Sequence, residues 1–335
     1  MGTSVNGRLQ GKTREARVRT ALYRGDLLTL ANPSYMRAVR ALTDELLRLD
    51  FELGDLTTEA LGLGAKRCRT EIRAKEAGIA AGMDEAVWLY ESHGQAATPV
   101  KRDGEAILPA DVLLRAQGDA RNLLSLERTA VNLLQRMSGI ATATQRLVAI
   151  AHDASPTAHI VATRKTPWGL LDKRAVHLGG GGTHRLNLSD AVLIKTNHLA
   201  LASNGMGMNL QQTLRQAWER RKVAAFFEVE VTSGAEAMTA ARVLAELRGA
   251  PDACPCLLLL DNSTPEDAKN AVRALRDMNL HDAVIVEASG GVSKQSAALY
   301  AVAGVDAISV GALTHSVRAI DMSAKLFPCG EVARA

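Results

Sequence analysis

The 335-residue chain carries 40 Lys and Arg against 36 Asp and Glu, a formal net charge of +4, and is 47% hydrophobic and 3% aromatic. That length supports one large domain or two modest ones, with a core that needs no disulfides. So small a charge and so few aromatics set bulk nucleic-acid binding aside. No apolar run nears the roughly 18 residues of a membrane span, and no apolar h-region marks a secretory leader, so the expected compartment is cytoplasmic. Cys68, Cys254, Cys256 and Cys329 lack paired zinc spacing and read as reduced thiols.

The charge is unevenly spread. Arg8, Lys12, Arg14, Arg17, Arg19 and Arg24 face only Glu15 near the start, and Arg164, Lys165, Lys173, Arg174, Arg185 and Lys195 outnumber Asp172 and Asp190 over 161–198. The rest is mildly acidic, so function is expected in one of two basic patches.

In chain order, residues 1–31 read as a loose basic arm, a transit peptide being the alternative. Asn32-Pro33 starts a helix, followed by Met36, Val39, Leu42, Leu46, Leu47 and Leu49 at helical spacing, and Gly54 ends it. Residues 32–118 are predicted to form a small α+β domain, with Ile72 and Ala74 on a strand and Val87 to Tyr90 helical. A long helix is expected from Asp119 to about Ala151.

Six short apolar runs then follow: 158–163, 191–195, 225–231, 256–260, 283–287 and 306–310. Helical segments separate them, the pattern of a parallel sheet with helices outside. The predicted class is therefore α/β, a closed or nearly closed β/α barrel over 119–315. An open doubly wound sheet is the alternative, although no GxGxxG follows the first run. Residues 316–335 are expected to form a C-terminal helix returning to the N-terminal domain.

Barrel chemistry sits where strands end. The run ends carry Thr163-Arg164-Lys165, Lys195-Thr196-Asn197-His198, Glu228 and Glu230, Asp261-Asn262, Ser289-Gly290-Gly291, and Ser309-Val310-Gly311. Glycines after the last two strands suit a phosphate approached by backbone N–H groups. His315, four residues beyond Gly311, is placed to reach the same ligand. Glu230 and Asp261 fit a Mg²⁺ site, stabilisation of developing positive charge, or an ion pair with a nearby Lys or Arg; parity cannot separate Glu228 from Glu230. Arg164, Lys165, His184, Arg185 and Lys195 imply a ligand with more than one anionic group.

In order along residues 36–326, these segments resemble the quinolinate phosphoribosyltransferase family: Gly54-Asp55-Leu56-Thr57-Thr58, Glu127-Arg128-Thr129, Thr163-Arg164-Lys165-Thr166, Gly180-Gly181-Gly182-Thr183-His184-Arg185, Leu193-Ile194-Lys195, Glu228-Val229-Glu230-Val231, Leu260-Asp261-Asn262, Glu287-Ala288-Ser289-Gly290-Gly291, and Gly311-Ala312-Leu313-Thr314-His315-Ser316. The resemblance implies an open, incomplete β/α barrel with a smaller N-terminal α+β domain, in a homodimer or larger homo-oligomer. It implies a pyridine dicarboxylate held by Arg164, His184, Arg185, Lys195 and a second subunit's Arg128. Lys165 would lie between that acid and phosphoribosyl pyrophosphate. Glu230 and Asp261 would face the ribose and Mg²⁺, and Ser289, Gly290, Gly291, Gly311 and His315 the 5′-phosphate.

Three positions depart from the family. Ala162 and Thr196 each replace a usual Asp, and Thr166-Pro167-Trp168-Gly169-Leu170 is a shorter loop without its Arg. The implied activity is phosphoribosyl transfer to quinolinate with decarboxylation. The alternatives are a paralogue using another pyridine or aromatic acid, with Trp168 as a new pocket wall, or a non-catalytic binding relative.

Overall fold

The six apolar runs become six parallel strands: His159–Val161, Val192–Ile194, Phe227–Val231, Cys256–Asp261, Ile285–Ser289 and Ala307–Ser309. The structure, a computed structural model, describes residues 12–51, 54–63, 66–221, 223–250 and 253–329. The first strand lies beside the last and the second at the opposite edge, with the others consecutive between them. Among the described residues the first and second strands do not pair, so this is a β/α barrel left open at one seam. The strand order never reverses, which excludes the doubly wound alternative. At the seam, Gly182 bridges to Val161 in place of a strand.

Local sequence accounts for the outer helices. Gly234–Leu247, Pro265–Asp277 and Lys294–Ala303 follow the third, fourth and fifth strands. Ser233, Thr264 and Ser293 cap them by accepting from backbone N–H groups three residues on.

The basic arm is corrected by the structure where it is described. Residues Arg14–Leu22 form a helix, N-capped by Thr13. Val18, Ala21 and Leu22 pack on Ala191, Phe226, Leu257, Ile285 and Ala307, at or near the N-terminal ends of their strands, and on Val161, which ends the short first strand. The helix thus closes the floor of the barrel. Arg14 Nε and a terminal nitrogen each lie 2.5 Å from an Asp306 oxygen, and Arg14 also donates to the carbonyls of His281 and Val284. Charge counting missed this because Arg14 meets an acid and carbonyls remote in sequence. Residues 1–11, including Arg8, lie outside the described part.

Two compact units emerge, and neither follows the expected boundaries. One takes residues 12–25, 146–165 and 181–312; the other takes 26–145, 166–180 and 313–329. The long helix is Ala120–Ala154, and its residues up to 145 belong to the second unit, not to the barrel as expected.

The second unit holds an antiparallel sheet in the order Met322–Pro328, Arg67–Ala74, Val112–Asp119, Ala96–Pro99. The expected C-terminal helix is therefore a strand over 322–328, whose Met322 opposes Ala74 and Pro328 opposes Cys68. A free sheet edge decided this, and so short a segment shows none in its own pattern. Arg174 is buried in this unit between Asp84, Glu85 and Asp103, and Tyr35 donates to Glu85 at 2.6 Å. Among the described residues no helix is long and apolar enough to cross a membrane.

Candidate active site

Alternation along the barrel strands stacks the site in tiers. Phe226, Leu257, Ile285 and Ala307 belong to the floor. Two residues on come Glu228, Leu259, Glu287 and Ser309, all buried. Two further on come Glu230, Asp261 and Ser289, at the carboxyl ends. Asp261 and Ser289 are register partners.

This tiering separates the two acids that parity could not. Glu228 is fully buried in the middle tier, whereas Glu230 sits at the strand end and meets polar donors. Lys195 Nζ lies 3.1 Å from Glu230 Oε2, and Thr196 donates to Oε1 from its backbone N at 3.1 Å and its hydroxyl at 2.9 Å. Burial pushes the Glu230 carboxyl up, but these donors outweigh it and hold the group below its ordinary value. The ion pair left open by the sequence thus forms, between two residues given different roles.

The remaining cations divide. Arg164 and Lys165 are exposed after the first strand. Arg185 is buried, and both burial and the nearby Arg164 charge lower its guanidinium pKa. Two like charges gathered this way favour an anion between them. His184 is also buried, in a left-handed conformation at φ +53°. Its Nε2 lies 3.2 Å from Glu228 Oε2 and 3.2 Å from Glu287 Oε2. Burial lowers the imidazole pKa, but the two carboxylates overcome this and raise it to about 9.

The late glycines are required by geometry. Gly290 has φ +100°, and Gly291 has φ +57°. Asn262 donates its backbone N–H to Ser289 O at 2.9 Å and its side-chain amide to Asp261 Oδ2 at 2.8 Å. The Asp261 corner is thereby fastened to the glycine loop. Backbone so bare of side chains suits close approach by phosphate oxygens.

Two expected site residues lie in the other unit. Arg128 is exposed on the long helix, and His315 ends the short helix Ala312–His315. The barrel unit itself brings together His184 with Arg185, and Lys195 with Glu230. Sequence reading missed Glu228 and Glu287 as partners of His184 and Thr196 as a partner of Glu230. The one usable signal was that an acid in the middle of a buried strand needs a countercharge.

Comparison with known proteins agrees with this geometry. The family described as quinolinate phosphoribosyl transferase matches through its C-terminal domain over residues 140–325 and its N-terminal domain over residues 55–138. The probable nicotinate-nucleotide pyrophosphorylase (carboxylating) of Methanothermobacter thermautotrophicus is 36% identical over 284 residues, covering 84% of this chain and 96% of its own. The human nicotinate-nucleotide pyrophosphorylase (carboxylating) is 32% identical over 86% of this chain and 91% of its own. The solved nicotinate-nucleotide pyrophosphorylase of Francisella tularensis superposes with a TM-score of 0.74 at 30% identity, over 87% of this chain and 96% of its own. Both domains match in order along most of its length, and the chain belongs to the quinolinate phosphoribosyltransferase family.

Proposed function

We propose that this protein transfers the phosphoribosyl group of phosphoribosyl pyrophosphate to the ring nitrogen of quinolinate, giving nicotinate mononucleotide, CO₂ and pyrophosphate. The reading places it in NAD biosynthesis as a carboxylating pentosyltransferase. The observation that carries it is the buried Arg185 and His184 beside one another, on the same barrel unit as Glu230, Asp261 and the Ser289-Gly290-Gly291 loop.

Arg164, His184, Arg185 and Lys195 neutralise the two carboxylates of the acid, and Arg185 offers one of them a planar fork. Lys165 lies between the acid and the pyrophosphate. Ser289, Gly290, Gly291, Gly311 and His315 hold the 5′-phosphate. The pyridine nitrogen forms a bond to the anomeric carbon as the bond to pyrophosphate breaks, and the leaving group takes that electron pair. Glu230 and Asp261 stabilise the positive charge that develops on the ribose. The carbon–carbon bond to the 2-carboxylate then breaks. Its electrons pass to the ring, where the pyridinium nitrogen stabilises them, and a solvent proton replaces CO₂.

Glu230 and Asp261 also fit a divalent cation. Mg²⁺ takes hard oxygen donors, commonly one or two carboxylates with substrate phosphates, and Glu230 is held ionised at the strand end. When bound, Mg²⁺ supplies charge neutralisation to the pyrophosphate. Arg128 comes from a second copy of the chain in a dimer or larger oligomer, a reading supported by its exposure on the long helix.

The test is direct: purified protein with quinolinate, phosphoribosyl pyrophosphate and Mg²⁺, assayed for nicotinate mononucleotide and pyrophosphate. No product at any substrate level sinks the proposal. A second reading keeps the transfer and changes the acid. It is favoured by Ala162, fully buried where the family has Asp. A screen of pyridine carboxylates decides between them.

A further inference from the structure

Three ionisable groups fill the middle tier of the barrel, below the level of Glu230 and Asp261. His184, Glu228 and Glu287 have ligand-type atoms within 4.8 Å of one another, and all three residues are buried. Nε2 of His184 stands 3.2 Å from one oxygen of each carboxylate, off line for a straight hydrogen bond to either. An Nε2–H there faces both carboxylates, and a second proton on Nδ1 makes the ring the cation that offsets their charge. Two buried carboxylates so close could not both stay ionised without a cation between them.

The groups around the cluster fit that reading. The Phe226 ring meets the imidazole edge-on at 5.0 Å from the floor side and offers no acceptor. Burial and the neighbouring Glu287 push the Glu228 carboxyl up to about 7, and the His184 and Arg185 charges draw it back down. Both acids therefore face His184, and Glu228 also acts on Arg185. With Nε2 committed to the carboxylates, only Nδ1 of His184 remains to donate to a ligand.

We propose that Glu228 and Glu287 are positioning residues for the acid subsite: together they hold His184 as an imidazolium and fix its ring, so that a charged Nδ1–H donor meets a substrate carboxylate. This rests on the functional reading above, in which His184 binds the pyridine dicarboxylate. The acids touch no substrate: Glu287 acts only through His184, and Glu228 through His184 and Arg185.

The experiment uses the full-length Glu287→Gln, Glu228→Gln and His184→Gln variants, with the Glu287→Gln/His184→Gln and Glu228→Gln/Glu287→Gln doubles. In Glu287→Gln the KM for quinolinate rises at least about tenfold, the factor a hydrogen bond to a charged group is worth. The KM for phosphoribosyl pyrophosphate stays within about twofold. The same substitution in the His184→Gln background changes little, because the residue it acts through is gone. Long-range proton–nitrogen NMR at pH 7.5 shows both ring nitrogens of His184 protonated in the wild type and a neutral ring in the Glu228→Gln/Glu287→Gln double.

Additive losses, parallel rises in both KM values, or a neutral His184 in the wild type would overturn the proposal. So would a divalent ion bound at the cluster, read by metal analysis of the purified protein and its loss in Glu287→Gln. If the wild type does not turn over quinolinate, the functional reading fails, while the NMR result still decides whether the acids hold His184 charged.

Discussion

A Cβ on Gly290 would lie 2.2 Å from Asn262 Oδ1 and 2.8 Å from Asn262 Cα. The glycine loop after the fifth strand and the Asp261-Asn262 corner after the fourth are thus interlocked. Neither can shift without the other, which couples the phosphate loop to a carboxylate assigned to the ribose.

Gly290→Ala is therefore expected to damage the site more than Gly291→Ala. Both residues have positive φ, but a Cβ on Gly291 meets nothing within 4 Å. Backbone strain alone costs on the order of 1–3 kcal/mol; Gly290→Ala adds a clash with Asn262 backbone. Thermal melts and the KM for phosphoribosyl pyrophosphate check this. A Gly290→Ala protein with both values unchanged would remove the loop from the phosphate site.

Arg185→Ala should lower kcat/KM for the acid by about 100-fold or more, since it removes a buried charge that pairs with a carboxylate. Arg185→Lys should recover only part of this, because a point charge replaces a planar fork. Circular dichroism must stay native for the comparison to count. An unchanged kcat/KM in Arg185→Ala would refute the pocket assignment.

Stability should fall as pH rises through the range set by His184. Its pKa is raised from an ordinary 6.5 to about 9, against the cost of burial, by Glu287 and Glu228. A base whose folded pKa is raised stabilises fully below the unfolded value and loses that contribution as pH climbs to the folded one. The window is therefore pH 6.5 to about 9, with a loss on the order of 1–3 kcal/mol. Urea midpoints across that range should drop in the wild type and drop less in the Glu228→Gln/Glu287→Gln double, where only burial acts on the imidazole. Parallel curves would show that the imidazole does not carry the effect.

Arg14→Ala should destabilise by about 2–3 kcal/mol, less than a fully buried broken pair costs, because the Arg14 side chain is 22% exposed while Asp306 is 8% exposed. Asp306 also accepts from the Val286 backbone N at 2.7 Å. Asp306→Asn should therefore cost at least as much. A double-mutant cycle measured by denaturant unfolding isolates the pair. Coupling near zero would mean that the helix Arg14–Leu22 is held only by Val18, Ala21 and Leu22.

The six barrel strands were legible because a strand buried on both faces is mostly apolar, and this needs no knowledge of neighbours. Cys256 to Leu260 shows it plainly. Strand-end chemistry followed from the barrel rule, which picked Lys195, Glu230, Asp261 and Gly290 without contacts. The segment Met322–Pro328 was not legible, since its register is set by the edge strand Arg67–Ala74.

Charge shows the same division. The sequence alone established two basic patches on a mildly acidic chain and the composition of a candidate anion site. Tertiary structure decided what each cation does. Arg14 became a floor fastener, Lys195 a partner of Glu230, and Arg185 a buried charge acted on by Glu228. Coulombic and hydrogen-bonded pairing depends on separations of a few ångströms, and residues 184, 228 and 287 come within that range only once the barrel has brought their strands together.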